Sequence, residues 1–245
     1  MRDTISRRGF LAVSGGVAIV PLLRVRGRQT AAQVSEVPTL LDHFILGCAD
    51  LDRGIAFVEQ RTGVRAAFGG VHPGRGTQNA LLSLGERRYL EIMAPDPGQQ
   101  VAPQIGNLRA LQEPRIVGWA AHPGSLEQFE GKLRDAKIQY DEPHAGSRKR
   151  PDGKILHWKT LTLKDDDHGL LPFFIEWSAD SIHPSVDAPK GCTLRGFAAE
   201  TPEAEVQRVE DVVTALGLDL KVEQAEKAGL RAIVLGPKGE LHVTS

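Results

Sequence analysis

The chain has 245 residues, 41% hydrophobic and 25% charged, with 30 basic against 31 acidic side chains. That composition supports a real core in one or two compact units. A balance so near neutral argues against a nucleic-acid partner, because a protein that holds phosphate backbones is clearly basic.

Residues 1–32 read as an export segment and not as part of the fold. Residues 6–11, "SRRGFL", set an arginine pair before an apolar run over residues 10–23, and small residues follow at Ala31 and Ala32. A charged start, a short apolar core and small residues describe a secretory signal. The run is too short to span a bilayer comfortably. No stable membrane span is therefore expected in the mature protein; an N-terminal membrane anchor is the alternative. The arginine pair with Phe-Leu behind it resembles the twin-arginine export signal, which implies a periplasmic destination.

From residue 39 the chain proceeds in cycles. "LDHFILGCA", from Leu41, is strand-like; Asp50 N-caps a helix whose Ile55 and Val58 keep helical spacing, and Gly63 ends it. "VRAAFGGVHPGRGTQ" is extended and Gly-rich, and "NALLSLG" and "RRYLEIMAPD" are strands joined by a turn. A second cycle begins at "RIVGWAAHPG". Ser125 caps its helix, Phe129, Leu133 and Ala136 lie on one face, and "YDEPHAGSRKRPDG", "ILHWKTLTLKD" and "LLPFFIEWS" complete it. A polar linker with two prolines, residues 178–191, leads to a third cycle. It runs through "CTLRGFAAET", a helix starting near Glu203, and the strands "LKVEQAE", "LRAIVLGPKG" and "ELHVTS". Three cycles with one element order predict an α+β fold of repeated strand–helix–three-strand units. Cys48 and Cys192 fall in strand-like stretches and read as two buried free thiols, with a disulfide between them as the alternative.

Side chains alternate along a strand, so Tyr89, Glu91 and Met93 share a face, as do Phe174 and Glu176. A carboxylate inside "YLEIM" or "FFIEW" is expensive to bury alone. A divalent metal or a polar substrate would satisfy both; a half-solvated strand edge or pairing with Arg75 or Arg150 would also serve. His72 sits in "VHPGRGTQN" beside Arg75 and between glycines. Glycine lets backbone approach a ligand, and arginine grips a carboxylate at two points; the alternative is a tight surface turn. Asn79 follows as a donor for a substrate carbonyl. Arg148, Arg150 and Asp152 hold the equivalent place in the second cycle, and Trp158 and Trp177 offer aromatic walls.

The repeated unit, with "LDHFILG" at the start of one copy and "YLEIM" at its end, resembles the vicinal oxygen chelate superfamily, which includes glyoxalase I and the extradiol dioxygenases. Within it, "AAFGGVHPGRGTQNALLSLGERRYLEIMAPD", "RKRPDGKILHW" and "LLPFFIEW" resemble the bacterial glyoxalase-like domain family. The resemblance covers residues 39–184. It implies two units, 39–97 and 114–180, paired into an open, barrel-like curved sheet, and leaves a partial third unit at 191–245. It implies metal ligands on first and fourth strands, carried over here to His43, Glu91 and Glu176; the remaining position falls near Gly118, which has no side chain to offer. The implied cofactor is a divalent metal, Zn, Fe, Mn or Ni. Glu91 and Glu176 are then the catalytic carboxylates, and His72, Arg75, Asn79, Arg150 and Trp177 bind the substrate. The implied activity is a small-molecule lyase, isomerase or dioxygenase acting on vicinal oxygens. The alternative is a non-catalytic small-ligand binder whose metal site has degenerated.

Overall fold

The computed structural model describes residues 36–100 and 107–245, so the expected export segment lies outside the described residues. β1 (Leu41–Gly47) opens the first unit and α1 (Leu51–Thr62) follows. The Asp50 carboxylate accepts from the Arg53 amide at 2.9 Å and starts the helix. Gly63 ends it at φ 80°, a left-handed conformation that strains any residue with a side chain. β2 (Ala67–His72), β3 (Thr77–Ser83) and β4 (Tyr89–Pro95) complete the unit. The second unit repeats the plan with β5 (Arg115–Ala121), α2 (Leu126–Asp135), β6 (His144–Lys149), β7 (Ile155–Leu161) and β8 (Phe173–Trp177).

Both units order their strands first, fourth, third, second: β1-β4-β3-β2 and β5-β8-β7-β6. β1 pairs antiparallel with β5 and joins them. On the far side β2 meets β6 through one residue pair, Val71 with Lys149. That pair turns the expected open sheet into a closed eight-stranded barrel.

The third cycle keeps the element order but not the sheet. α3 (Pro184–Asp187) makes one turn within the linker. β9 (Thr193–Thr201), α4 (Val206–Ala215), β10 (Lys221–Gln224), β11 (Gly229–Gly236) and β12 (Gly239–Thr244) follow. Their sheet runs β10-β9-β11-β12, so the first strand pairs with the second and third instead of the fourth. Glu203–Glu205, where the sequence places the helix start, is a 3-10 turn leading into α4.

Alternation sorts the barrel strands. Phe44 and Leu46, Ala80 and Leu82, and Leu90 and Ile92 join the main apolar core, together with Val58 of α1 and Phe197 of β9. The Phe197 ring lies 5.9 Å from Phe44 and 5.2 Å from Trp119, centroid to centroid. Trp119 Nε1 donates to the Leu170 carbonyl at 2.9 Å, so the largest buried side chain also has its polar atom satisfied. Each such side chain contributes about 1.5–3 kcal/mol by leaving water. The alternate residues, among them His43, Asn79 and Glu91, turn to the barrel interior. The linker folds back over one end: Ser83 of β3 bonds the Ser185 and Pro189 carbonyls at 2.9 Å each. Cys48 and Cys192 are buried free thiols. Among the described residues no helix is long and apolar enough to cross a membrane.

Candidate functional site

Strands from both units send polar side chains into the barrel. Glu91 stands in the middle of β4, 7% exposed. Asn79 Nδ2 donates to Glu91 Oε1 at 2.7 Å, and Asn79 Oδ1 accepts from Arg148 Nη1 at 2.7 Å. His43 Nε2 lies 3.6 Å from Glu91 Oε2, and His72 Nε2 lies 3.7 Å from Glu91 Oε1. Each carboxylate oxygen therefore has an imidazole nitrogen beside it. Behind His43 stands Asp42, wholly buried. Its Oδ1 accepts from His43 Nδ1 at 2.7 Å, and its Oδ2 accepts from Trp177 Nε1 and His183 Nε2, each at 3.1 Å. The Tyr89 ring stacks on His43 at 4.5 Å.

Two local features assemble this cluster. Asp42 and His43 are neighbours on a strand and by alternation would face opposite sides. The β1–β5 ladder shifts register between Leu41 and His43, and such an irregularity re-aims a side chain. Across the barrel, a Cβ at Gly69 would stand 2.5 Å from both Arg148 Nη1 and Asn79 Oδ1, and one at Gly70 would stand 3.1 Å from Arg148 Cγ. The glycine pair is the room in which the Arg148 side chain lies.

Burial opposes ionising Asp42, but the hydrogen bonds from His183 and His43 outweigh it and hold the carboxyl well below its usual range. Burial likewise opposes charge on Glu91; the charges of His72 and His43, the Asn79 bond and Arg148 bring it below the ordinary 4.5. For His72 burial is the largest influence and pushes the imidazole below 6.5, against the pull of Glu91. Asp42 is thus a fixed acceptor. It holds the His43 proton on Nδ1 and leaves Nε2 turned toward Glu91. Arg148 is 4% exposed and its Nε is buried with no acceptor. A buried N–H left unpaired costs about 1–3 kcal/mol.

Of the residues singled out in the sequence, His43, His72, Asn79 and Glu91 come together, and Trp177 joins through Asp42. Glu176 does not. It neighbours Trp177 on β8 and so faces the opposite side, where its Oε2 accepts from the Leu126 amide at 2.6 Å, at the first residue of α2. Phe174, on the same side, packs on Phe129 of α2 at 4.2 Å. The implied ligand set of His43, Glu91 and Glu176 therefore does not converge. At Gly118, the empty fourth place, a Cβ would meet no atom within 4 Å. Among the described residues no group of three or more His, Cys, Asp or Glu side chains is arranged to hold a metal ion. Arg150 is ion-paired with Asp187 of α3, and with Asp152 at 3.2 Å, so it fastens the linker. Arg75 is exposed in the turn between β2 and β3. Asp42 escapes sequence reasoning because alternation points it away from His43 and a register shift leaves no mark in sequence.

Two strand–helix–three-strand units closed around a polar interior define a paired-repeat barrel of the vicinal oxygen chelate superfamily. The chain belongs to the family described as glyoxalase-like domain, which it matches over residues 41–221. No curated protein matches it. Among solved structures it is similar to a hypothetical protein from Staphylococcus aureus, at 17% identity over 83% of this chain and 84% of that one, with a TM-score of 0.59. It is also similar to a Streptomyces coelicolor methylmalonyl-CoA epimerase in complex with 2-nitronate-propionyl-CoA, at 20% identity over 60% of this chain and 99% of that one, TM-score 0.43. The Mycobacterium tuberculosis methylmalonyl-CoA epimerase gives 19% identity, 61% and 92% coverage, and a TM-score of 0.40. At 17% identity the Staphylococcus structure speaks to the fold alone.

Proposed function

We propose that the chain is a small-molecule enzyme, a lyase or isomerase that moves a proton on a substrate carrying two neighbouring oxygens, with the barrel interior as its site. The observation that carries this reading is Glu91: a buried carboxylate with an imidazole nitrogen within 3.7 Å of each oxygen. Such a carboxylate takes a proton from a carbon or oxygen acid, and His43, tied to Asp42, returns or relays it. Substrate contacts fall to His72, Asn79 and Trp177 inside the barrel and to Arg75 in the exposed β2–β3 turn, while Arg150 stays with Asp187 and Asp152. No step here runs through a divalent metal, because the donor set that the resemblance implies does not meet at one point.

Small 2-oxo and 2-hydroxy compounds incubated with the protein in D2O test this, with proton NMR reading deuterium at carbon. Glu91→Gln is expected to slow exchange about 10²–10⁴-fold with the circular dichroism unchanged; exchange at the parent rate in that variant sinks the reading. Binding without exchange across the panel leaves the second reading, a non-catalytic binder, which the bare Gly118 and the outward Glu176 favour. A melting temperature that rises with Zn, Fe(II), Mn or Ni, and does so through His43 and Glu91, returns a metal to the site. We also propose export by the twin-arginine route, supported by the pair Arg7 and Arg8 ahead of the apolar run. Replacing both with Lys should leave the protein in the cytoplasmic fraction.

A further inference from the structure

Proton transfer at Glu91 leaves one buried group without a task. Arg148 reaches from β6 across the glycine pair Gly69 and Gly70 into the interior, 4% exposed. The only hydrogen bond of its guanidinium among the described residues goes to a neutral group, Asn79 Oδ1, at 2.7 Å. Its Nε is buried and has no acceptor. Among the described residues no carboxylate comes within ion-pair distance of it. The one carboxylate whose charge reaches it, Glu91, is already engaged: it accepts from Asn79 and faces two imidazoles. A guanidinium is the side chain that suits a planar two-oxygen anion, and burying one without a counter-charge is unfavourable.

We infer that the substrate of the barrel site is a small carboxylate and that Arg148 binds it. This rests on the reading that the barrel interior is the site. Asn79 separates Arg148 from Glu91 by one amide, touching each at 2.7 Å. A carboxylate on Arg148 therefore brings the carbon next to it toward Glu91, and the two neighbouring oxygens of the substrate become a carboxylate and the oxygen beside it. Gly69 and Gly70 set the fit, since any side chain at Gly69 would occupy the place of the guanidinium.

The test compares glycolate and pyruvate with their uncharged amides, by calorimetry and thermal shift on the purified full chain. The acids are expected to bind saturably and at least tenfold more tightly than the amides. Arg148→Met keeps the apolar stem and should weaken acid binding at least tenfold while leaving the amides unchanged. Because that variant removes a buried group, the acid-to-amide ratio on the parent protein stands as the independent readout. Glu91→Gln should bind the acids as well as the parent or better, since it removes a nearby negative charge. Equal affinity for acid and amide, no binding of either acid, or parent-like binding by a folded Arg148→Met overturns the inference. Acids that bind through Arg148 without deuterium exchange would defeat the proton-transfer reading and leave this inference standing.

Discussion

Asp42 is wholly buried and accepts N–H groups from three places in the chain: His43 beside it, Trp177 on β8 and His183 in the linker. Neutralising it removes the charge toward which those donors are turned. Asp42→Asn keeps the size but sets an NH2 group against an N–H, and should cost about 3 kcal/mol, read as a lower urea midpoint. The same groups fix the response to acid. Asp42 and Glu91 ionise more readily when folded than their ordinary values of 3.8 and 4.5, so their contribution is full above those values and is lost as pH falls through the lower folded ones. His72 acts with the same sign. It resists protonation when folded, so below its ordinary 6.5 the unfolded chain binds more protons and stability falls. Thermal melts should therefore decline in two stages on acidification; His122, also pushed below 6.5 by burial, shares the first stage with His72, so His72→Gln should shrink that stage and keep the second. A melting temperature that rises on acidification would contradict this assignment.

Glu176 works at the scale of the element. Its carboxylate meets the amide of the first residue of α2, where helix N–H groups lack partners and negative charge is favoured. Glu176→Ala should cost about 0.5–2 kcal/mol of stability, the range of a lost N-terminal cap, and leave turnover per folded molecule unchanged; a collapse of turnover would put Glu176 back among the reacting groups. The contrast with Glu91 marks what sequence carries. The units themselves are legible, because caps at Asp50 and Ser125 and the two periodicities are written locally. Alternation also gathers Glu91 with Tyr89 and Met93. It does not say which face of a strand turns inward, and for β8 the face with Phe174 and Glu176 turns to α2. Strand order is less legible still. The third cycle repeats the elements of the first two, yet β9 pairs with β10, because pairing is decided by distant partners.

At the scale of the whole molecule, the barrel and the second sheet share one apolar core. Phe44 and Trp119 leave the barrel wall to meet Phe197, and Gly236 of β11 comes so close to the end of α1 that a Cβ there would stand 2.3 Å from the Thr62 carbonyl. A chain stopped after Gly191 would expose that surface. It should lose the single cooperative urea transition expected of the full chain; a truncated chain that still unfolds cooperatively would mean the barrel is self-sufficient.

The barrel wall is not equally strong all round. β1 and β5 are matched over six residue pairs, whereas β2 and β6 meet at one, Val71 with Lys149. A hoop fastened this way has a seam. Parting it forfeits the fewest hydrogen bonds, so the least costly excursion opens the hoop into a trough and leaves every other ladder standing. The excursion carries Arg148 and His72 apart, since they ride on the two sides of the seam. Solvent and small solutes would then reach the polar interior without global unfolding. Native-state hydrogen exchange should find the amides that face the seam at Val71 and Lys149 protected orders of magnitude less than those of the β1–β5 ladder. Equal protection would mean that the hoop breathes as one piece.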